Sequence, residues 1–304
     1  MLKSTPMSKL KAKDPSESTP ARPKIAIYGS YGVSKTWGAL SFPNVYFIDS
    51  EGGSKEKEYI ARLKQSGGVY MGPEDGSSNM DNLIEEVKAL ATEKHNYKTL
   101  VIDSITKPFN NEITKEAERL GDKNGFGADK RPAVQKMKRL MMWLDRLDMN
   151  VILIAHEKPK WANGEQAGYE ADMYDKVNYD LHLVLRITKQ GTRRVARVDK
   201  TRIRAFPDGD SFDWTTSNSI SETTARDEFI KRLGDGIMNE SQAIVLATPE
   251  QVGEIERLLK VVNVDPADIE KWKAKANAES FSDFTEEQAG KIIKALLAKI
   301  TPNK

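Results

Sequence analysis

The chain has 304 residues, room for one α/β domain of about 200 residues with a smaller module beside it. With no cysteine and three scattered histidines it excludes disulfides and cysteine–zinc sites, and no apolar run is long enough for a membrane span or a signal peptide, so a soluble, cytoplasmic protein is expected. Lys plus Arg number 47 against 45 Asp plus Glu, a net charge of +2, so no global positive field announces a nucleic-acid partner and any basic surface must be local.

Residues 1–22 carry Lys, Ser, Thr and Pro with hardly any large apolar side chain, which predicts a flexible tail; a weak phosphate-binding arm is the other reading. From Lys24 the pattern changes. KIAIYG (24–29), NVYFID (44–49), KTLVID (98–103) and NVILIAH (150–156) are short apolar runs, as buried parallel strands require. Between them, 80–95 and 134–147 space their apolar residues at helical intervals. Strand and helix alternate, so the fold class is α/β, a doubly wound sheet. Farther on, 180–188 and 193–202 alternate with period two around Gln190-Gly191 and predict an antiparallel hairpin added to that sheet. Residues 23–240 are thus read as the α/β domain and 241–304 as a helical C-terminal module. In the module, Thr248 and Thr285 each precede a glutamine by three positions, Gln251 and Gln288, the capping-box spacing of a helix start.

Directly after the first strand comes Gly29-Ser30-Tyr31-Gly32-Val33-Ser34-Lys35-Thr36, a Walker A loop with one departure. Such a loop turns backbone N–H groups toward phosphate oxygens, sends a lysine to the outer phosphates and places a hydroxyl on Mg2+, so ATP and Mg2+ are the expected cofactors. The departure is Ser34, where the last glycine is usual; a Cβ there demands a changed backbone or a wider phosphate path. A plain strand-to-helix turn is the alternative. The strand Leu100-Val101-Ile102-Asp103 ends in an aspartate, as a Walker B strand does, which makes Asp103 a second metal ligand beside Thr36, or else a simple strand-end cap.

With these elements in order, residues 24–206 resemble the RecA recombinase ATPases, especially the shortened phage-encoded relatives that work with single-strand annealing. The resemblance implies a RecA-like P-loop domain in which Glu51, closing Phe47-Ile48-Asp49-Ser50-Glu51, activates the attacking water, and His156 senses the γ-phosphate. It implies that Lys200 and Arg202, on one face of a strand, act across a subunit interface; a solvated basic edge is the alternative. It also implies two DNA-binding segments. The first lies near 119–132 with Lys123, Phe126, Lys130 and Arg131, and the second follows His156 with Lys158, Lys160 and Trp161 and continues to Tyr169 and Tyr174. Cations for phosphates beside aromatics for stacking suit a single strand, whereas a mobile surface loop without DNA is the other reading.

The function implied is an ATP-dependent recombinase or annealing ATPase that binds single-stranded DNA as a homo-oligomer, filament or ring, alongside a single-strand-binding protein. A regulatory or scaffold protein that binds ATP with little hydrolysis is the alternative, favoured by Ser34. A small-molecule kinase is third, and no acceptor-site motif supports it.

Overall fold

The computed structural model describes residues 22–300 together with Asp14, so the segment read as a flexible tail lies almost wholly outside the described residues. The four apolar runs form strands β1 (Lys24–Tyr28), β2 (Val45–Asp49), β4 (Thr99–Asp103) and β5 (Asn150–Ala155), with a short β3 (Val69–Met71) between β2 and β4. These five strands are parallel. Helices α1 (Lys35–Ala39), α2 (Lys57–Ser66), α3 (Met80–Thr92), α4 (Thr106–Leu120) and α5 (Lys130–Arg146) connect them.

Two exposed strands, β6 (Glu157–Ala162) and β7 (Glu165–Ala171), pair only with each other, so the segment after His156, read from sequence as a loop, is a β-hairpin. After a single turn of helix, α6 (Val177–Asp180), strand β8 (Leu183–Gln190) joins β1 in parallel. The expected hairpin follows as β9 (Arg193–Thr201), and β10 (Ser211–Thr215) pairs antiparallel with β9 at the sheet's edge. The eight strands run β10-β9-β8-β1-β5-β4-β2-β3.

Alternation along the central strands explains why both sheet faces are covered. Ala26, Ile48, Leu100, Ile102, Val151 and Leu153 point into one cluster with Leu83 and Val87 of α3 and Leu140 and Leu144 of α5. Ile25, Ile27, Phe47, Val101, Ile152 and Ile154 point into the other, with Leu40, Trp214 and Phe229 of helix α7 (Thr224–Leu233). Strands buried on both sides need apolar residues at every position, which is why the runs lack polar alternation.

Helices α8 (Pro249–Val261), α9 (Pro266–Ala276) and α10 (Glu286–Ile300) enclose a separate apolar cluster around Leu258, Phe284 and Leu296. Both capping boxes are formed. Gln251 N donates to Thr248 Oγ1 at 3.2 Å and Gln288 N to Thr285 Oγ1 at 3.2 Å, and each glutamine side chain accepts the cap N–H in return. Lys88 of α3 pairs with the buried Asp283 at 3.0 Å and ties these helices to the sheet.

For the site, the decisive feature is register. Tyr28 is level with Ala155, Asp103 with Ile154 and Asp49 with Asp103. The carboxyl ends of β1, β5, β4 and β2 therefore open onto one edge, where open α/β sheets bind ligands.

Candidate functional site

The loop after β1 folds as a cradle because its glycines allow it. Gly29 has φ 152°, and a Cβ there would overlap the Ile187 carbonyl of β8. Val33 is buried in the core and anchors the loop, while Tyr31 at its tip is exposed. Ser34 takes φ 59°, ψ 33°, the left-handed conformation that a glycine adopts freely. For a residue with a Cβ this costs about 1–2 kcal/mol. So the serine keeps a glycine-like backbone. Its carbonyl accepts the Gly38 N–H at 3.1 Å and the Trp214 indole N–H at 3.0 Å.

Lys35 Nζ donates to the carbonyls of Gly29 and Ser30, both at 2.9 Å, so the ammonium sits at the mouth of the loop. Burial lowers its pKa, against the opposing pull of Asp103 and Glu51. Thr36 Oγ1 donates to Asp103 Oδ2. Burial pushes the Asp103 carboxyl up to about 6. A hydroxyl and one carboxylate are hard oxygen donors that suit Mg2+, which keeps several waters and takes phosphate oxygens for the rest. Among the described residues no three or more His, Cys, Asp or Glu groups converge on a cation, so the protein's share of such a coordination sphere is small.

Asp49 does not face the cleft. Its buried carboxylate accepts the N–H groups of Glu51 and Gly52 at 2.9 Å and of Ser54 at 2.6 Å, and so shapes the turn that carries Glu51. Glu51 Oε1 accepts the Ser104 hydroxyl at 2.6 Å and lies 2.5 Å from His156 Nε2. The His156 bond, with Ser104's help, draws the Glu51 carboxyl down to about 2, and the same contact raises the His156 pKa. Gly29, Ser30, Tyr31, Gly32, Lys35, Thr36, Glu51, Asp103 and His156 together line a cleft of about 580 Å3, with Glu157 and Tyr169 completing the wall.

Residues 21–203, more than half of the chain, match the AAA domain family. The chain belongs to that family. The chain is 32% identical over 114 residues to the DNA repair and recombination protein RadA of Methanococcus voltae, covering 32% of this chain and 33% of that protein. The chain thus spans about a third of the length of that relative. Among solved structures it is similar to the RadB recombinase, with a TM-score of 0.44 and 20% identity over 63% of this chain and 86% of that one. It is also similar to an ATPase from the type III secretion system of pathogenic bacteria, with a TM-score of 0.38 and 14% identity over 92% and 82% of the two chains.

Glu157 and Arg186 escaped the sequence reading, and Tyr169, expected in the segment after His156, stands at the wall of the cleft. Glu157 pairs with Arg186 at 3.2 Å, and the Arg186 guanidinium lies 4.5 Å over the Tyr169 ring. Tyr28 Oη donates to Asp199 and lies 3.2 Å from the Tyr169 carbonyl. These contacts hold the β6–β7 hairpin against the cleft. The adjacency of Glu157 to His156 was the only signal for it; Arg186 and Tyr169 are brought in by pairing across the sheet.

The other expected residues fall elsewhere. Lys200 is level with Val184, near the start of β8, and donates to the Leu181 carbonyl; Arg202 donates to the Tyr179 carbonyl. Both stand at the opposite end of the sheet from the 29–36 loop of this chain. Lys123 lies in a single turn of 3-10 helix after α4, Phe126 is fully exposed in the following loop, and Lys130 and Arg131 open α5. Lys158, Lys160 and the exposed Trp161 lie along β6. Lys158 is shared among Glu170, Asp172 and Asp175 at 3.7–3.8 Å, which offsets part of its charge.

Proposed function

We propose that this AAA domain protein binds ATP with Mg2+ in the cleft at the carboxyl edge of the sheet and hydrolyses it in a cycle stimulated by single-stranded DNA. One observation carries the reading: Lys35, the Thr36–Asp103 pair and the Glu51–His156 pair come from four separate strand ends and line one cleft, with the buried Ser104 hydroxyl holding Glu51 from behind. Bound Mg2+ supplies charge neutralisation for a triphosphate. The chain's own groups do the rest. Backbone N–H groups of the loop from Ser30 to Lys35 bind phosphate oxygens, and the Lys35 ammonium leaves the loop carbonyls for the outer phosphates.

Glu51 is ionised at neutral pH, and its carboxylate is the base that orients a water and takes its proton. His156, one bond from Glu51, reports on the terminal phosphate at the end of β5. The β6–β7 hairpin starts at the next residue, so a strand of DNA lying on Lys158, Lys160 and Trp161 acts on the cleft through Glu157. Lys123, Phe126, Lys130 and Arg131 form the second contact, with Phe126 offering a ring for stacking. Because Lys200 and Arg202 lie far from their own cleft, their role is toward the nucleotide of a neighbouring copy in a homo-oligomer. Support for a recombination setting comes from the matched RadA protein, which is named for DNA repair and recombination.

A second reading, ATP as a switch with little turnover, is favoured by the engagement of Glu51 with both Ser104 and His156. ATP turnover with and without poly-dT separates the two. The first reading expects stimulation by poly-dT that Glu51→Gln lowers by about 100-fold or more; slow turnover indifferent to both supports the switch.

A further inference from the structure

Ser34 is held in a backbone region that a serine does not choose, and such a conformation persists only where the surroundings over-determine it. The surroundings are specific. Trp214 is fully buried, and its indole N–H reaches the Ser34 carbonyl at 3.0 Å across 180 residues of chain. It gets there by two devices. The register between β10 and β9 slips between Asp213 and Thr215, so Trp214 is the extra residue of a bulge, a feature that re-aims a side chain. And Gly38, on the helix that the P-loop opens, has no Cβ: one added there would overlap the indole nitrogen itself.

We propose that Trp214 is a positioning residue for the P-loop, whose indole N–H, admitted by Gly38, fixes the Ser34 carbonyl and so lets a serine occupy the loop's glycine position. The idea rests on the nucleotide-binding reading and deepens it. With the Ser34 carbonyl fixed from behind, the next two residues, Lys35 and Thr36, leave the turn in the direction of Gly29 and Asp103. An ordinary core tryptophan would stabilise the fold equally whatever residue stands at 34. A brace against left-handed strain matters only while that residue is not glycine.

The test is a double-mutant cycle of Trp214→Phe and Ser34→Gly, read by the Kd for Mg·ATP and by amide hydrogen exchange of residues 35–38 in the nucleotide-free protein. Phenylalanine keeps an apolar ring and removes the donor. If Trp214→Phe does not fold, a benzothienylalanine at 214 replaces it, since that side chain has the indole's shape without its N–H. The expected result is a loss of affinity of about 2- to 10-fold on removing the N–H, the usual range for one hydrogen bond, and faster exchange at 35–38, both within about twofold of unchanged in the Ser34→Gly background. Equal losses in both backgrounds, or none in the parent, overturn the proposal. If the parent binds no ATP at all, the nucleotide reading fails by itself, and the exchange rates alone still decide whether the brace exists.

Discussion

Replacing Asp103 by asparagine should stabilise the nucleotide-free protein while weakening its hold on Mg·ATP. Asp103 is half-buried at the end of β4, where it lines the cleft, and desolvation raises its carboxyl from 3.8 to about 6. The native state therefore keeps a proton on Asp103 through the window from about 4 to 6, where the unfolded chain has already released it. Stability contributed by this group is present at the acid end and falls as pH rises through that window. Above about 6 the folded protein carries a partly desolvated carboxylate at a cost of at most about 3 kcal/mol, at 1.36 kcal/mol per pKa unit, less what the open cleft screens. Asparagine removes the charge and still offers an oxygen to the Thr36 hydroxyl.

Urea denaturation in chelator should show Asp103→Asn about 1–3 kcal/mol more stable than the parent near pH 7.5, the gap closing toward pH 4. The same variant should bind ATP with little response to Mg2+. A variant no more stable than the parent near neutral pH, or a gap that ignores pH, would refute the argument that burial sets the Asp103 charge.

Gly29→Ala should destabilise the fold by about 1–3 kcal/mol, because its Cβ meets the Ile187 carbonyl; thermal melting reads it, and an unchanged Tm contradicts the close approach. Arg62 is buried and donates to the carbonyls of Trp37 at 2.7 Å, Ile220 at 2.7 Å and Glu222 at 2.5 Å. Arg62→Met leaves these acceptors unsatisfied and should cost about 3 kcal/mol or more in denaturant titration. Trp161→Ala should weaken poly-dT binding by about 1–3 kcal/mol at fixed salt and leave ATP affinity unchanged; filter binding with both ligands checks it.

Local signals made the scaffold legible. The four apolar runs were read within a residue or two of β1, β2, β4 and β5, and the hairpin of β8 and β9 was read from its alternation and its Gly191 turn. The glycine loop after β1 and the strand-end Asp103 are visible because each is written in consecutive residues. Contacts made across the fold were not visible. Trp214 gives no hint in its neighbourhood that it will meet Ser34, and Tyr169 and Arg186 meet only because β1 pairs with β8 and the hairpin folds back. The β6–β7 hairpin was missed because its strands are mostly exposed and carry Pro159, so they lack the apolar alternation that marks a strand. Asp49 was read only as a letter of the Glu51 element, whereas its buried carboxylate builds the turn that element needs.

The most direct measurement is calorimetric titration of the protein with ATP at millimolar Mg2+, run in parallel on Lys35→Ala. A single saturable site in the parent, weakened at least about tenfold when the ammonium is removed, by analogy with the 1.4 kcal/mol that such a factor represents, is the expected outcome. No heat of binding in the parent, or equal affinity in both proteins, would contradict the assignment of this cleft to a nucleotide.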